Sequence, residues 1–200
     1  MKLISSLLAL LIMFSGCQKE DPRATVTGIV GTVLCKSMPG DAFKPAQDKS
    51  SLFIGGAVKT EQNSSAKLTF SDQSEMLVQA DAYFEIGSKD SFGTQNSGGV
   101  IYRLQKQAAP AKIETPHGTT AVLGTVFRQD VSTDSVKIWV EEGRVSFTPV
   151  SGGAETIVTA GQKLVASKSA QILKPELVDP LEMGMQINPG NSGIPEFNRR

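Results

Sequence analysis

Short segments in which apolar and polar residues alternate, separated by turn-forming residues, place the strongest limit on what this chain can fold into. The clearest segment spans residues 136–147, where apolar residues alternate on both sides of Gly143. Glycine suits a short hairpin loop, because it adopts positive φ without steric cost. Helical periodicity is nearly absent before residue 170, and the weak helical candidate at 176–183 contains Pro180. The pattern predicts an all-β fold, either an antiparallel-rich sandwich or a short β-solenoid of short strands.

Local composition places the other strands and loops. Residues 26–34 are rich in β-branched side chains and predict one strand, whereas residues 36–51 hold two prolines and many polar groups and predict a loop. Residues 66–80 alternate on both sides of a polar turn, which predicts a hairpin. Residues 88–99 are rich in serine and glycine, and this composition predicts a turn or a loop.

The start of the chain resembles the export signal of a bacterial lipoprotein. A basic start, Met1-Lys2, precedes an apolar run at residues 3–14. As a helix this run would cover only about 18 Å of a hydrocarbon core about 30 Å thick. Small residues then lead directly to Cys17, as in a lipobox. The pattern predicts that residues 1–16 are removed and that Cys17 is the lipid attachment site. An ordinary signal, with Cys17 there by chance, is the alternative.

A lipid on Cys17 would place the protein in the bacterial cell envelope, with the membrane as a partner. Each buried methylene contributes about 0.8 kcal/mol, so two or three acyl chains such as palmitate hold a protein on a bilayer almost permanently. Gln18 follows the cysteine, at the position where an aspartate favours retention in the inner membrane of Gram-negative bacteria. We therefore expect the outer membrane.

The charge balance argues against a nucleic-acid partner. The chain has 20 Lys and Arg residues and 20 Asp and Glu residues, and no basic patch stands out. If Cys17 is acylated, Cys35 is the only thiol left and cannot close an internal disulfide. Cys35 is then either a small apolar residue at a strand end or a reactive, intermolecularly bonded thiol.

No catalytic constellation is visible in the sequence. The only histidine, His117, has no second histidine with which to share a metal, and neither a Gly-x-Ser-x-Gly elbow nor an HExxH pair occurs. We therefore expect no enzyme, no catalytic residue, no metal site and no cofactor. We also expect replacement of His117 to have a surface-like cost, with Gly124 and Gly143 more sensitive. Carboxylates that are scattered in sequence, as in glycosidases, leave an extracytoplasmic hydrolase as the alternative.

Two residues of the 136–147 hairpin are candidates for a recognition surface. Trp139 points to the opposite face from Ile138 and Val140, since successive strand residues alternate. It either faces outward and forms a binding surface with Arg144, or the other sheet of a sandwich covers it. We favour the covered position for Trp139.

Several short motifs follow one another in a characteristic order. They are Leu52…Gly55…Val58…Thr60, residues 66–70 with Asp72 and Ser74, Glu114-Thr115-Pro116, residues 122–125 with Phe127, residues 140–145, and Ala160-Gly161-Gln162. As a set they resemble the FecR domain, the periplasmic module of iron-dicitrate sensor proteins, over residues 26–167. Two features differ from the family. Gln73 replaces a usual glycine, which predicts a different or longer turn, and residues 36–51 look like an insertion.

The resemblance implies a recognition module rather than an enzyme. Signalling members of the family have a cytoplasmic anti-sigma region and a transmembrane helix before this domain. We expect neither here, and so expect a module detached from the signalling machinery. We predict a lipid-anchored, non-catalytic binding or structural module of the envelope whose partner is an unknown envelope protein or glycan. An extracytoplasmic hydrolase and an accessory in metal-uptake signalling are the alternatives.

The predicted domain organisation has four parts. Residues 1–16 are a signal peptide and residues 17–25 a tether. Residues 26–168 form the FecR-like all-β domain, and residues 169–200 an irregular, proline-rich C-terminal tail, because four prolines interrupt any long element there.

Overall fold

The computed structural model describes residues 21–88, 90–167 and 173–187, and in these ranges the chain is nearly all β, as predicted. The strands are β1 (Ala24–Val30), β2 (Val33–Lys36), β3 (Lys44–Pro45), β4 (Ser50–Leu52), β5 (Ala57–Thr60), β6 (Ser65–Phe70), β7 (Glu75–Val78), β8 (Tyr83–Ile86), β9 (Gly93–Arg103), β10 (Ala111–Thr115), β11 (Gly118–Val122), β12 (Val126–Val131), β13 (Ser135–Glu142), β14 (Arg144–Pro149), β15 (Thr156–Thr159), β16 (Gln162–Ser167) and β17 (Glu176–Leu177). A single helix, α1 (Pro180–Ile187), follows them in the described part of the chain.

The hydrogen-bonded strands form one connected sheet of 17 strands, which divides into two layers that share β9. The front layer runs in the order β4-β1-β6-β7-β9-β12-β13-β16-β17. The back layer runs in the order β3-β2-β5-β8-β9-β10-β11-β14-β15. Within the described ranges, β9 and β10 are the parallel pair and the other pairs are antiparallel, so the sheet is mixed.

The chain builds these layers from hairpins. The antiparallel pair β2–β5, whose connection contains β3 and β4, lies in the back layer; the β6–β7 hairpin lies in the front layer and the β8–β9 hairpin in the back. After β9, the β10–β11 hairpin lies in the back layer, β12–β13 in the front and β14–β15 in the back. Each later hairpin pairs with an earlier strand of its own layer. The fold therefore combines the two packed layers of a sandwich with the sequential stacking of a solenoid.

Strand β9 changes layer in its middle. Its first half pairs with β8 in the back layer, and from Gly98 onward it pairs with β12 and β7 in the front layer. Gly98 adopts a φ of 79°, and a Cβ there would lie 2.4 Å from the Cα of Ala82, so this crossing requires glycine. The turn or loop predicted at 88–99 is therefore wrong from Gly93 onward, because the small residues serve a strand that passes between layers.

The core lies between the layers and includes a group of aromatic side chains. Tyr102 stacks on Phe127 with ring centroids 4.6 Å apart, and Phe84 of the back layer meets Tyr102 edge-on at 6.4 Å. All three side chains are fully buried. Aromatic pairs of this kind contribute about 0.5–1.5 kcal/mol each beyond the burial of their area.

A buried hydrogen-bond network joins the layers beside this aromatic group. The Tyr102 hydroxyl donates to Gln95 Oε1 at 2.8 Å, and Gln95 Nε2 donates to the carbonyls of Gly98 and Gln129 at 2.8 and 3.0 Å. Gln129 Nε2 donates to Gln95 Oε1 at 3.0 Å, and Thr120 Oγ1 donates to Gln129 Oε1 at 2.6 Å. An unpaired polar group would be costly in this setting, so the network fixes the position of β9 against β11 and β12.

Residues 173–187 are named here the C-terminal strap; β17 extends the edge of the front layer, and Val178 and Met183 then pack on its outer face. Strand β17 pairs with β16, and the Asp179 carboxylate caps α1 by accepting the N–H of Leu181 at 2.7 Å. Pro180 takes the first helical position, where a missing N–H is harmless. The helix predicted at 176–183 therefore begins later, and the predicted irregular tail contains one short helix in its described part. None of the described helical structure is long and apolar enough to span a membrane.

Three local predictions need correction. The single strand predicted at 26–34 is two strands, since β1 and β2 part at Gly31 and enter different layers. The loop predicted at 36–51 contains the short edge strands β3 and β4, one for each layer. At the β6–β7 turn, Gln73 adopts a φ of 68°, so a short turn forms with glutamine where the family has glycine.

Candidate functional site

Many of the motif residues lie together at one end of the layers, where the chain turns between strands. This turn cluster consists of residues 72–74, 104–107, 123–125, 143–144 and 160–161. The N–H of Leu104 donates to the carbonyl of Thr125 at 3.1 Å, and the N–H of Gln107 donates to the carbonyl of Leu123 at 2.9 Å. The segment after β9 is therefore held against the connection between β11 and β12.

Gly124 and Gly143 are the points of closest backbone approach in the turn cluster. A Cβ on Gly124 would lie 2.7 Å from the Cα of Lys106, and one on Gly143 would lie 3.0 Å from the carbonyl oxygen of Gly124. Thr125 Oγ1 donates to the carbonyl of Arg144 at 3.1 Å across the same contact. Gly143 has a φ of 82°, which confirms the predicted positive φ. The hairpin predicted at residues 136–147 is wrong, however, because β13 pairs with β12 and β16 in the front layer and β14 pairs with β11 and β15 in the back layer. Gly143 therefore turns the chain from one layer to the other. These motif glycines therefore shape the fold.

The carboxylate of Asp72 accepts hydrogen bonds from its own turn and from the segment after β9. Its Oδ1 accepts the N–H of Ser74 at 2.9 Å, and its Oδ2 accepts the Ser74 hydroxyl at 3.0 Å and Gln107 Nε2 at 2.9 Å. The Ser74 Oγ accepts the N–H of Gln105 at 3.1 Å. Asp72 and Ser74 thus bind the β6–β7 turn to the segment after β9.

Three depressions of the described surface surround the turn cluster. The Arg23 pocket, of about 370 Å³, is lined by Arg23, residues 70–72, Asp90, Phe92, residues 105–107 and residues 109–111. The crossover groove, of about 850 Å³, is lined by residues 103–106, residues 123–126, residues 142–144 and Thr159. The back groove, of about 740 Å³, lies on the outer face of the back layer and is lined by Pro110, Lys112, Glu114, Thr119, residues 121–123, Arg144, Ser146, Thr148, Glu155 and Ile157.

Trp139 lies on the outer face of the front layer and is covered by the C-terminal strap. Only 7% of the residue is exposed, and it belongs to an apolar cluster of Leu77, Ile101, Val126, Trp139, Val178 and Met183. The guanidinium of Arg128 lies 5.7 Å from the centre of its ring. The covered position is therefore the one observed, although the strap provides the cover and not the other sheet.

Arg144 is exposed at the start of β14 and lines both the crossover groove and the back groove. Because β13 lies in the front layer and β14 in the back layer, the structure does not bring Trp139 and Arg144 onto one surface. Of the two candidate recognition residues, Arg144 alone is accessible.

His117 lies in the β10–β11 turn, at the opposite end of these strands from the turn cluster, and is 2% exposed. Its Nε2 donates to the carbonyl of Ser132 at 2.8 Å, while its Nδ1 is buried without a partner among the described residues. The surface-like cost predicted for its replacement is therefore wrong. Its loss would remove a buried bond between turns of the two layers, which typically costs about 1–3 kcal/mol.

The two cysteines fall in different parts of the chain. Cys35 is a buried free thiol on β2 and is 8% exposed, the position expected of a small apolar strand residue. Cys17, the predicted lipid attachment site, lies outside the described residues.

The described surface offers groups for ion pairing and hydrogen bonding. No group of three His, Cys, Asp or Glu side chains suited to a metal occurs within the described ranges. The back groove carries charges of both signs, from Lys112 and Arg144 and from Glu114 and Glu155. Such a surface can bind a polar partner directly.

Sequence reasoning did not find the Arg23 pocket. Its lining comes from separate segments of the chain, and Arg23 fell in the predicted tether at 17–25, whereas β1 already begins at Ala24. The Asp72…Ser74 motif was the available signal, because it borders the pocket. The motif alone gives no indication that Arg23 lies beside it.

Comparisons with known proteins agree with this architecture. The family model described as FecR protein matches residues 56–146. No curated protein matches the chain. Two crystal structures of a candidate anti-sigma factor from Parabacteroides distasonis ATCC 8503, at 2.50 and 1.65 Å resolution, are similar with a TM-score of 0.54 and 12% sequence identity.

Each structural match covers 62% of this chain and 60% of the other protein. At this identity the similarity concerns the fold. The family match begins at Gly56, so β1–β4 precede it, and β15, β16 and the C-terminal strap follow it. Residues 56–146 of this chain therefore form a FecR domain.

Proposed function

We propose that this chain is a lipid-anchored, non-catalytic recognition module of the bacterial cell envelope, and that its partner is an envelope protein or a glycan. The observation that carries the proposal is the use of the FecR motif residues. In the turn cluster they make backbone contacts and brace turns, while exposed side chains such as Arg144 line the surrounding depressions. The motif thus supports a binding surface, and it supplies no base, nucleophile and orienting group together.

The envelope location rests on the predicted signal and on Cys17. Replacing Cys17 by Ser should leave an unlipidated protein, soluble or unprocessed, that no longer incorporates labelled palmitate. Once residues 1–16 are removed, this protein should move from the detergent phase to the aqueous phase in a phase-separation assay. A Cys35→Ser variant is the matched control and should remain lipidated. Equal partition of the Cys17→Ser variant and the unchanged protein would contradict the anchor.

The identity of the partner can be tested on the surface that the structure leaves accessible. Crosslinking in intact cells, followed by capture of the anchored chain, should recover the same envelope component each time. An Arg144→Glu variant should lose it, because Arg144 lines two of the three depressions. A Lys59→Glu variant, whose charge is exposed on another part of the back layer, should retain it.

A hydrolase remains the second candidate because Glu114 and Glu155 line the same groove. Two carboxylates that flank a bound sugar are the requirement of glycoside hydrolysis. Cell-wall glycan incubated with the protein should be released as fragments if this candidate is correct, and release should stop in Glu114→Gln and Glu155→Gln variants. Binding of glycan without fragment release would support the recognition module.

A further inference from the structure

The Arg23 pocket contains a fixed cation whose hydrogen-bonding capacity is not used. The backbone of Arg23 is held on both sides, since its N–H donates to the Leu52 carbonyl at 2.9 Å and its carbonyl accepts the N–H of Ser71 at 3.2 Å. One guanidinium nitrogen, Nη2, lies 3.4 Å from the carbonyl of Ser88. The Nε is buried and has no partner among the described residues. The Nη2 contact is exposed, so an acceptor that enters the pocket can bind the guanidinium there.

A second cation, Lys106, lines the same pocket. Within the described ranges, neither cation has a carboxylate oxygen within 4.0 Å, whereas Lys36, Lys67, Arg128 and Lys163 do. Both positive charges are therefore available to a ligand.

Two acidic residues, Asp72 and Asp90, also line the pocket, and neither forms an ion pair with Arg23 or Lys106 among the described residues. Asp72 has both oxygens occupied by Ser74 and Gln107, and this use holds its charge in the β6–β7 turn. Asp90 is exposed at the rim, where water screens its charge. An incoming oxyanion would therefore approach from the side of Arg23 and Lys106.

One wall of the pocket is aromatic. Phe70 and Phe92 pack against each other with ring centroids 4.3 Å apart and are 5% and 6% exposed. Both rings line the pocket together with Arg23, so an apolar group joined to an oxyanion would meet both kinds of surface. A volume of about 370 Å³ suits a small ligand.

We propose that the Arg23 pocket binds the oxyanion of a small amphipathic ligand, a carboxylate or phosphate group joined to an apolar part. Arg23 holds the oxyanion by its guanidinium N–H groups, Lys106 adds a second positive charge, and Phe70 and Phe92 contact the apolar part. This ligand site goes beyond the recognition of an envelope partner and does not require it.

Two sources could supply the same chemistry. Arg23 lies six positions after Cys17, which spans at most about 22 Å when extended. If Cys17 carries a lipid, the pocket lies near a bilayer, and the oxyanion could be a lipid phosphate. A free organic carboxylate is the other source.

Calorimetric titration of the full chain carrying Cys17→Ser, in one neutral detergent throughout, separates these sources. The probes are benzoate, dihexanoyl phosphatidic acid, and benzyl alcohol as the uncharged control. We expect saturable binding of at least one of the two anions and none of benzyl alcohol. Binding of benzoate alone would identify a free carboxylate as the source, and binding of the phosphatidic acid alone would identify a lipid phosphate.

Variants locate the site. Arg23→Gln should raise the dissociation constant of the bound anion about tenfold or more, and Lys106→Gln should raise it severalfold. Lys112→Gln, which removes a cation from the back groove, should leave it unchanged. Lys106 is exposed, so its variant remains informative if Arg23→Gln impairs folding. Absence of saturable anion binding at about 10 mM probe, or binding unchanged in both pocket variants, would overturn the proposal.

Discussion

Gly143 and Gly161 occupy turns at the same end of the fold with nearly the same backbone angle, a φ of 82° and of 81°. They differ in their surroundings. A Cβ on Gly143 would meet Gly124 O at 3.0 Å and Thr125 Oγ1 at 3.1 Å, whereas one on Gly161 would meet no atom within 4 Å. The pair separates the cost of the left-handed backbone from the cost of crowding.

We expect Gly161→Ala to lower the free energy of unfolding by about 1 kcal/mol, the usual cost of left-handed backbone for a residue with a Cβ. Gly143→Ala should cost about 2 kcal/mol or more, because the crowding adds to the same backbone term. Urea melts of the two variants provide the measurement. Equal losses would show that the close contact at Gly143 is absent.

Gln73 adopts a left-handed backbone conformation, which is less favourable for glutamine than for the glycine usual in this turn. Its φ is 68° and its side chain is exposed, so glycine would relieve the strain and lose no packing. We expect Gln73→Gly to raise the free energy of unfolding by up to about 1 kcal/mol. Asn63→Gly is the control, with a φ of 56° at another exposed turn. Its gain should be smaller, because asparagine tolerates this conformation better. A loss of stability in Gln73→Gly would contradict this explanation.

Burial raises the pKa of the Tyr102 hydroxyl well above its ordinary value of 10.0. Because the folded state holds the proton more tightly than the unfolded state, the stabilisation is complete below pH 10 and is lost as the pH rises above it. We expect the free energy of unfolding to fall above pH 10. Tyr102→Phe should remove most of this fall and cost about 1 kcal/mol at neutral pH, through the lost bond to Gln95. Tyr83→Phe should keep the fall, and an equal fall in the Tyr102→Phe variant would refute the assignment.

Predictions for single residues succeeded where local backbone conformation determines the property. They failed where the property depends on a contact with a residue that is distant in sequence. The positive φ of Gly143 follows from its place between two alternating segments. The burial of His117 depends on the Ser132 carbonyl, which the β12–β13 turn supplies from another layer. Neither local composition nor spacing indicates that contact.

At the scale of elements, the contact between the C-terminal strap and Trp139 can be tested by the fluorescence of this tryptophan. Trp139 is the only tryptophan, and Val178 and Met183 of the strap cover it. We expect Met183→Asp to shift the fluorescence of Trp139 to longer wavelength, because a buried carboxylate would displace the strap and admit water. Leu181→Asp, at a residue that is 74% exposed on the same helix, should leave the emission unchanged. An unshifted spectrum in Met183→Asp would show that the strap does not cover Trp139.

The strands that alternation predicted well are those with one face in the core. β13 and β14 lie where the pattern placed them, on both sides of Gly143, but they enter different layers and do not form the predicted hairpin. The first half of β9 was not predicted, because the segment is rich in serine and glycine, which are rare in strands. These small residues allow the chain to cross between the layers. The split of β1 from β2 was missed for a related reason, since both strands share one apolar run and Gly31 separates them.

At the scale of the whole molecule, the class of fold could be predicted and the candidate site could not. Alternation reports which face of a strand is buried, and that information is local. The Arg23 pocket depends on the order in which strands join the layers, which brings Arg23, Phe92 and Lys106 together from three parts of the chain. The alternation of apolar and polar residues does not indicate that these three residues lie close together in the fold.

The sharing of β9 by both layers has a thermodynamic consequence. If one layer melted, β9 would lose its partners on one side and the buried network around Tyr102 and Gln95 would open to water, so the other layer would lose its own support. The layers should therefore act as one cooperative unit, with a single calorimetric transition whose measured enthalpy equals the van 't Hoff enthalpy. Two resolved transitions would show that the layers melt independently. Such a protein would have no half-folded form with one intact layer, so a protease would meet either the complete domain or an open chain.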